Sequence, residues 1–286
     1  MLKISERDLT LADGRTLHVY DTGADSGKLT VVWHHGTPNI GTPPQPLFEA
    51  SERLGIRWIG YDRPGYGGSS PQPGRNIATA AALTAHVTDA LGIDTFTVMG
   101  HSGGGPHALA CAALLPKRVL SVVSVSGLAP YGVKGFDYFA GLNPAGEASI
   151  HAALAGRAAK EAQEASAEFD PETFTSSDYA ALSSTWSWFE SVVGPAQASG
   201  PGGLIDDDVA YVAPWGFDVA NIVAPTLLVH GEEDRMVLPS HSRWLAHHIP
   251  SAELQLYPDD GHISVLHAAP SALAWLCERA KRISHD

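Results

Sequence analysis

Short apolar runs alternate with helical patterns along most of this chain, and that alternation limits the folds open to it. Thr30–Trp33, Arg57–Tyr61, Thr95–Met99, Val119–Val125, Thr226–Val229 and Ala252–Tyr257 read as buried strands. Between them, Gln45–Leu54, Ala78–Leu91 and His107–Leu115 read as helices, stopped by Gly55, Gly92 and Pro116. Leu273, Leu276, Cys277 and Ala280 mark a closing helix. Strands separated by helices need crossover connections, so the expected fold is α/β: a mostly parallel central sheet with helices on both faces. At the start, Ile4–Leu11 and Thr16–Tyr20 flank Asp13-Gly14, which predicts a hairpin and an antiparallel edge.

The rhythm breaks between about Tyr131 and Asp218, where no convincing strand occurs. An Ala-rich helix is expected over Ile150–Phe169, with Arg157/Glu161 and Lys160/Glu164 paired one turn apart. A second is expected over Asp178–Val193, carrying Tyr179, Leu182, Trp186, Phe189 and Val193 on one stripe. A Gly/Pro/Ser segment, Gly194–Gly203, follows, and Asp206-Asp207-Asp208 suits a helix start. The expected organisation is a core domain over residues 1–130, a helical cap inserted after the sixth strand over 131–218, and a second core segment over 219–286. The cap's length and its hinge-like segment suggest a lid that moves on substrate entry.

With 286 residues the chain suits one large α/β domain or two small domains. Lys and Arg number 18 against 31 Asp and Glu, a formal charge of −13. Such a surface repels phosphate backbones and anionic lipid, so neither nucleic acid nor membrane is an expected partner. Cys111 and Cys277 lie in apolar helical patterns and read as buried free thiols, with no spacing for zinc or redox chemistry. The run Phe96–Pro116 has membrane-span length, but its glycines, histidines and Pro106 make it strand, turn and helix. The first ten residues do not read as a signal peptide, and a cytoplasmic location is the expectation.

Gly100-His101-Ser102-Gly103-Gly104 fits G-x-S-x-G. The motif alone is weak, but it follows an apolar strand and opens a helix, the setting of a nucleophile elbow. A turn that tight leaves no room for side chains at its flanks and exposes the serine hydroxyl at the carboxyl end of the sheet. The overlapping Gly103–Ala108 fits G-x-G-x-x-A, a dinucleotide fingerprint; the strand that follows ends Ser124-Val125-Ser126-Gly127 without the acid a ribose needs. A serine also needs a base and an orienting acid. Thr226–Val229 leads into Glu232, Glu233 and Asp234; Ala252–Tyr257 leads into Gly261-His262. Both loops fall on the rim that holds Ser102, in the order serine, acid, histidine.

On these residues the chain resembles the α/β-hydrolase family, in its serine-nucleophile, cap-bearing branch, over nearly all of its length outside the cap. The resemblance implies Ser102 as nucleophile, His262 as general base then acid, and Asp234 as the orienting carboxylate. His35-Gly36-Thr37-Pro38 resembles the family's loop after the third strand, which implies the backbone N–H groups of Thr37 and Gly103 as the oxyanion hole. The family sometimes carries its acid after the sixth strand; here that strand ends at Gly127, which favours Asp234.

His101 reads as structural packing or a pocket wall, and His34 and Asp62-Arg63 as loop anchors. His247, His248 and His267 sit in helical patterns and are expected to be solvated. Trp186, Trp188 and Trp215 read as core joining cap to sheet, or as apolar pocket walls. The expected function is a serine hydrolase for a small-to-medium, uncharged carboxylic ester or lactone, working without cofactor or metal on a small-molecule substrate. The same layout also serves carbon–carbon bond hydrolases, thioesterases, prolyl aminopeptidases and peracid-forming enzymes, and the fold can serve as a small-molecule receptor. Oligomeric state is not legible.

Overall fold

The computed structural model describes residues 2–23 and 29–283; positions 1, 24–28 and 284–286 of the two expected core segments lie outside the described residues. The strands are β1 (Ser5–Thr10), β2 (Thr16–Asp21), β3 (Leu29–His34), β4 (Ile56–Tyr61), β5 (Phe96–His101), β6 (Val119–Val125), β7 (Thr226–Gly231) and β8 (Ala252–Tyr257). They form one sheet in the order β1-β2-β4-β3-β5-β6-β7-β8. The hairpin β1–β2 forms as its turn dipeptide demands, with Leu9 opposite Leu17 and Gly14 at φ 84°. β2 joins β4 antiparallel, and every pairing from β4 to β8 is parallel.

Side chains alternate across the sheet and divide the core in two. Val32, Val98, Val122 and Leu228 point into one layer; Val31, Met99, Val123 and Leu227 point into the other. The helices of the first half are α1 (Phe48–Leu54), α2 (Thr79–Ala90) and α3 (Gly104–Leu114). The connection from β6 to β7 holds α4 (Pro144–Leu154), α5 (Arg157–Glu164), α6 (Ser176–Leu182), α7 (Glu190–Ala196) and α8 (Gly202–Val212). Two more, α9 (Ser240–His248) and α10 (Ala269–Ile283), close the chain. Leu83, Ala108, Leu109 and Leu245 place α2, α3 and α9 in the first layer, whereas Phe48, Leu273 and Leu276 place α1 and α10 in the second.

Several boundaries differ from those the sequence suggests. β5 runs on to His101, and α3 begins at Gly104 rather than His107. Pro106 sits in its first turn, where a missing N–H costs nothing. The Ala-rich segment is two helices, broken at Gly156, whose φ of 102° no other residue adopts cheaply. The Asp178–Val193 segment also divides. Ser183 and Ser184 turn their hydroxyls back onto the carbonyls of Tyr179 and Ala180, ending α6, and a 3₁₀ turn over Thr185–Phe189 leads into α7. The Gly/Pro/Ser connector is shorter than expected, because α7 runs through Pro195 to Ala196 and α8 starts at Gly202. Asp206, Asp207 and Asp208 therefore stand in the middle of α8, not at its start.

Candidate active site

β5 is buried along its whole length and delivers the chain into a turn at the carboxyl edge of the sheet. Ser102 sits in that turn at φ 54°, a left-handed conformation that a non-glycine residue holds only where its surroundings impose it. Its N–H donates to the Val125 carbonyl at 2.8 Å, and its own carbonyl accepts from Gly105 N–H at 2.9 Å. The flanking glycines are required sterically. A Cβ on Gly100 would stand 2.3 Å from the Gly104 carbonyl oxygen, and one on Gly104 would stand 1.9 Å from the His34 carbonyl oxygen. Strand and helix cross too closely for either.

Asp234 lies in the loop after β7 and His262 in the loop after β8. Asp234 is anchored through Oδ1, which accepts from Met236 N–H at 2.9 Å and Val237 N–H at 3.0 Å. Its Oδ2 accepts from His262 Nδ1–H at 2.7 Å, with both side chains buried. His230, whose ring is held by Val237 O and Ser242 Oγ, stands 3.3 Å from the same oxygen. Burial works to raise the Asp234 pKa, but the charge on His262 and the hydrogen bonds from His230 and His262 outweigh it and hold the carboxyl below its ordinary range. Burial works to lower His262, but the Asp234 charge and hydrogen bond, and the charge of Asp178, leave it above its ordinary value. Among the described residues no hydrogen bond links Ser102 Oγ to this ring; such contacts often tighten only with substrate in place.

The expected oxyanion residues adjoin the serine. Thr37 Oγ1 donates to Asp207 Oδ2 at 2.8 Å and accepts from Arg63 at 2.9 Å. Tyr211 OH lies 2.7 Å from Thr37 Oγ1 and 3.1 Å from the Gly103 carbonyl, to which it donates. Gly103 must be glycine, since a Cβ there would stand 2.1 Å from Tyr211 OH. Neither Thr37 N–H nor Gly103 N–H has an acceptor among the described residues.

Asp207 is the centre of this support. Fully buried, it receives Arg63 and Arg75, each with a closest approach of 2.6 Å, and Tyr66 OH at 2.8 Å. Burial alone would raise its pKa; the charges of Arg63 and Arg75 carry it well below the carboxylate range instead. Arg63 also donates to the carbonyls of His35 and Gly36, so it is the loop anchor expected, with a partner that was not. Sequence reasoning missed Asp207 and Tyr211. A usable signal existed: Asp207 is three and four positions from Ala210 and Tyr211, on their buried face.

A cavity of about 500 Å³ opens on Ser102, His262 and Thr37. Phe169, Phe174, Leu182, Phe189, Val193 and Met236 supply its apolar walls, and all but Met236 come from the β6–β7 connection. Glu190 is its one carboxylate, and neither Lys nor Arg is among the described residues lining it. His101 lines it too, with Nε2 3.0 Å from the His262 carbonyl. Burial pushes the His101 pKa down to about 3, so the ring is neutral and Nε2–H is the donor. The three tryptophans do not line this cavity. Trp186 and Trp188 pack in the core with Phe189, and Trp215 faces a separate cavity with Tyr131 and Trp244. The stripe of Trp186 and Phe189 expected on one continuous helix is interrupted by the 3₁₀ turn, which leaves Phe189 on the cavity and both indoles in the core. Of the other histidines, His247 and His267 are exposed as expected, but His248 is half-buried, stacked at 3.7 Å on Trp244. Among the described residues no group of His, Cys, Asp and Glu could hold a metal ion, and no helix is long and apolar enough to cross a membrane.

Sheet order, elbow and the loops after β7 and β8 together define an α/β hydrolase. The chain belongs to that family: the family model described as alpha/beta hydrolase fold matches residues 30–269. A non-heme chloroperoxidase of Streptomyces lividans is 33% identical over 239 residues, covering 80% of this chain and 82% of that protein. A 2-hydroxy-6-oxononadienedioate/2-hydroxy-6-oxononatrienedioate hydrolase of Klebsiella pneumoniae is 28% identical over 264 residues, 87% of this chain and 86% of its own. In structure, a thermophilic esterase from Thermogutta terrifontis aligns with a TM-score of 0.71 at 22% identity, covering 96% of this chain and 99% of that one.

Proposed function

We propose that this chain is a serine hydrolase of small-to-medium, uncharged carboxylic esters or lactones. The observation that carries the reading is the buried 2.7 Å hydrogen bond from His262 to Asp234, beside a cavity that also holds Ser102. In the proposed cycle Ser102 Oγ attacks the carbonyl carbon while His262 Nε2 takes its proton. The oxyanion is held by the N–H groups of Thr37 and Gly103. Collapse expels the alcohol, which receives the proton from His262 and leaves an acyl-enzyme. Water, deprotonated by His262, then releases the acid and restores Ser102.

The cavity supports an uncharged substrate. Its walls are apolar, and a dianion such as the one in the name of the Klebsiella relative calls for a cation that the lining does not offer. Placing Asp207 between Arg63 and Arg75 removes it as a ligand for a free amine, so a peptidase reading loses its acidic cluster. The test is a panel of nitrophenyl esters and lactones, run beside Ser102→Ala, with a fluorophosphonate followed by intact mass. Turnover and a single label in the parent, both lost in the variant, are the expected results. Label without turnover would move the substrate class to carbon–carbon bonds or thioesters. Neither label nor turnover would leave a small-molecule receptor.

A further inference from the structure

Asp178, from α6 in the β6–β7 connection, is fully buried against a loop of the core. Its Oδ1 accepts two backbone N–H groups, Ile263 and Ser264, at 2.8 Å each. These are the two residues that follow His262. Its Oδ2 accepts Thr175 N–H and Thr175 Oγ1–H at 3.0 Å each, closing a capping box at the start of α6. Gly261, on the other side of His262, touches the same group: a Cβ there would stand 2.1 Å from Asp178 Oδ2. One carboxylate therefore bonds the start of a helix in the insertion to the backbone after the base and packs against the glycine before it.

Among the described residues the His262 loop is also held by His101 Nε2–H on the His262 carbonyl at 3.0 Å and by Gly261 N–H on Ser264 Oγ at 2.8 Å. Among the described residues the His262 ring is hydrogen-bonded to Asp234 and packs against the His101 ring at 5.0 Å between centroids. The loop lies in neither strand nor helix between β8 and the 3₁₀ turn at Ser264–Ala268. Without Asp178 two adjacent buried N–H groups would lose their acceptor, which the loop could mend only by moving.

We propose that Asp178 is a positioning residue for His262, so that the base reaches its working position only while α6 is docked on the core. This rests on the reading of His262 as the base. It has a structural corollary. The insertion cannot lift away as one cover during the reaction, because α6 would take the His262 loop with it. Substrate entry then falls to exposed side chains at the cavity wall, Phe169 and that of Met236, whose backbone stays bonded to Asp234.

The experiment compares parent, Asp178→Asn, Gly261→Ala and Thr175→Ala. The asparagine can present an oxygen to the loop or to Thr175, but not to both, and it removes the charge. Gly261→Ala keeps Asp178 and drives a methyl into it, so a fold too weak to tolerate the first variant leaves the second. Thr175→Ala weakens the same helix start while sparing the bonds to Ile263 and Ser264. Expected for Asp178→Asn and Gly261→Ala is a fall in kcat on the order of 10²-fold at nearly constant KM, the scale of a misplaced catalytic group. Thr175→Ala is expected to melt earlier with kcat within about twofold of the parent.

A second readout needs no turnover. The ring of His262 is bonded to Asp234 and packs against neutral His101, with His230 behind Asp234, and the charge of Asp178 acts on it through the field. Followed by ring NMR, its titration should move to lower pH in Gly261→Ala, which keeps the Asp178 charge, because a displaced loop loosens the ring from Asp234. General destabilisation would not produce that shift. A folded Asp178→Asn and a folded Gly261→Ala that both keep the parental kcat would overturn the proposal, even where the lost charge moves the His262 titration in the first. A parent without turnover or Ser102 label would instead overturn the hydrolase reading, and the NMR arm would still decide whether Asp178 sets the His262 loop.

Discussion

Thr37 and Asp207 stand 170 positions apart in sequence and share a hydrogen bond of 2.8 Å. The first belongs to the loop after β3, the second to α8 in the β6–β7 connection. Asp207 thereby fixes the loop beside Ser102, and Arg63 repeats the connection through the carbonyls of His35 and Gly36.

Asp207→Ala should be among the most damaging single changes outside the proposed triad. It leaves Arg63 and Arg75 buried without their carboxylate. Breaking a buried ion pair from one side costs about 3–5 kcal/mol. Denaturant melts should show a loss of that order. Tyr211→Phe, which removes only the hydroxyl from Gly103 O and Thr37, should keep most of the stability and lower kcat.

Asp234→Asn should lower kcat on the order of 10⁴-fold while the protein stays folded. The amide can donate where the carboxylate accepts, so His262 loses the partner that keeps its proton on Nδ1. A variant with near-parental kcat would show that Asp234 does not orient the base.

Activity should fall as pH drops. The base works only when neutral, and His262 sits above the ordinary histidine value of 6.5, so kcat/KM should rise with pH through that raised pKa. Stability runs the other way for this residue: a raised folded pKa gives a contribution complete below about pH 6.5 and lost as pH rises through the folded value. Asp234 is the reverse case. Its folded pKa is depressed, so its contribution is complete above its unfolded value of about 3.9 and is lost as pH falls toward the folded one. Rate and melting profiles across pH would separate the two residues.

Leu182→Trp should shorten the preferred acyl chain, because Leu182 lines the cavity beside Ser102 and a larger side chain fills it. Trp186→Ala should act differently. It removes a core side chain behind that wall, and should cost roughly 3–5 kcal/mol of stability. A melting scan and an ester chain-length series would tell the two effects apart.

Much of the fold was legible because it is written in local pattern. Asp13-Gly14 made a hairpin, Gly55 and Gly92 ended helices at φ 68° and 65°, and β-branched runs became central strands. The crossovers then left few sheet topologies to choose from. The β6–β7 connection was less legible. Its helices break at Gly156, where φ is 102°, and at Ser183-Ser184, whose hydroxyls bond back to the preceding turn, where the apolar stripes alone suggested continuous helices.

The sequence by itself determined the sheet, the elbow around Ser102, and the rim on which Asp234 and His262 fall, because strand order and chain direction place successive loop ends together. Only the tertiary structure decided that Phe174, Leu182 and Phe189 line the cavity while Trp186, Trp188 and Trp215 do not, and that Asp178 and Asp207 serve the core rather than the solvent. The reason is physical. Periodicity reports which side of an element is buried, but a carboxylate's partners lie up to 170 residues away in sequence. No local pattern records which backbone N–H or guanidinium will meet it.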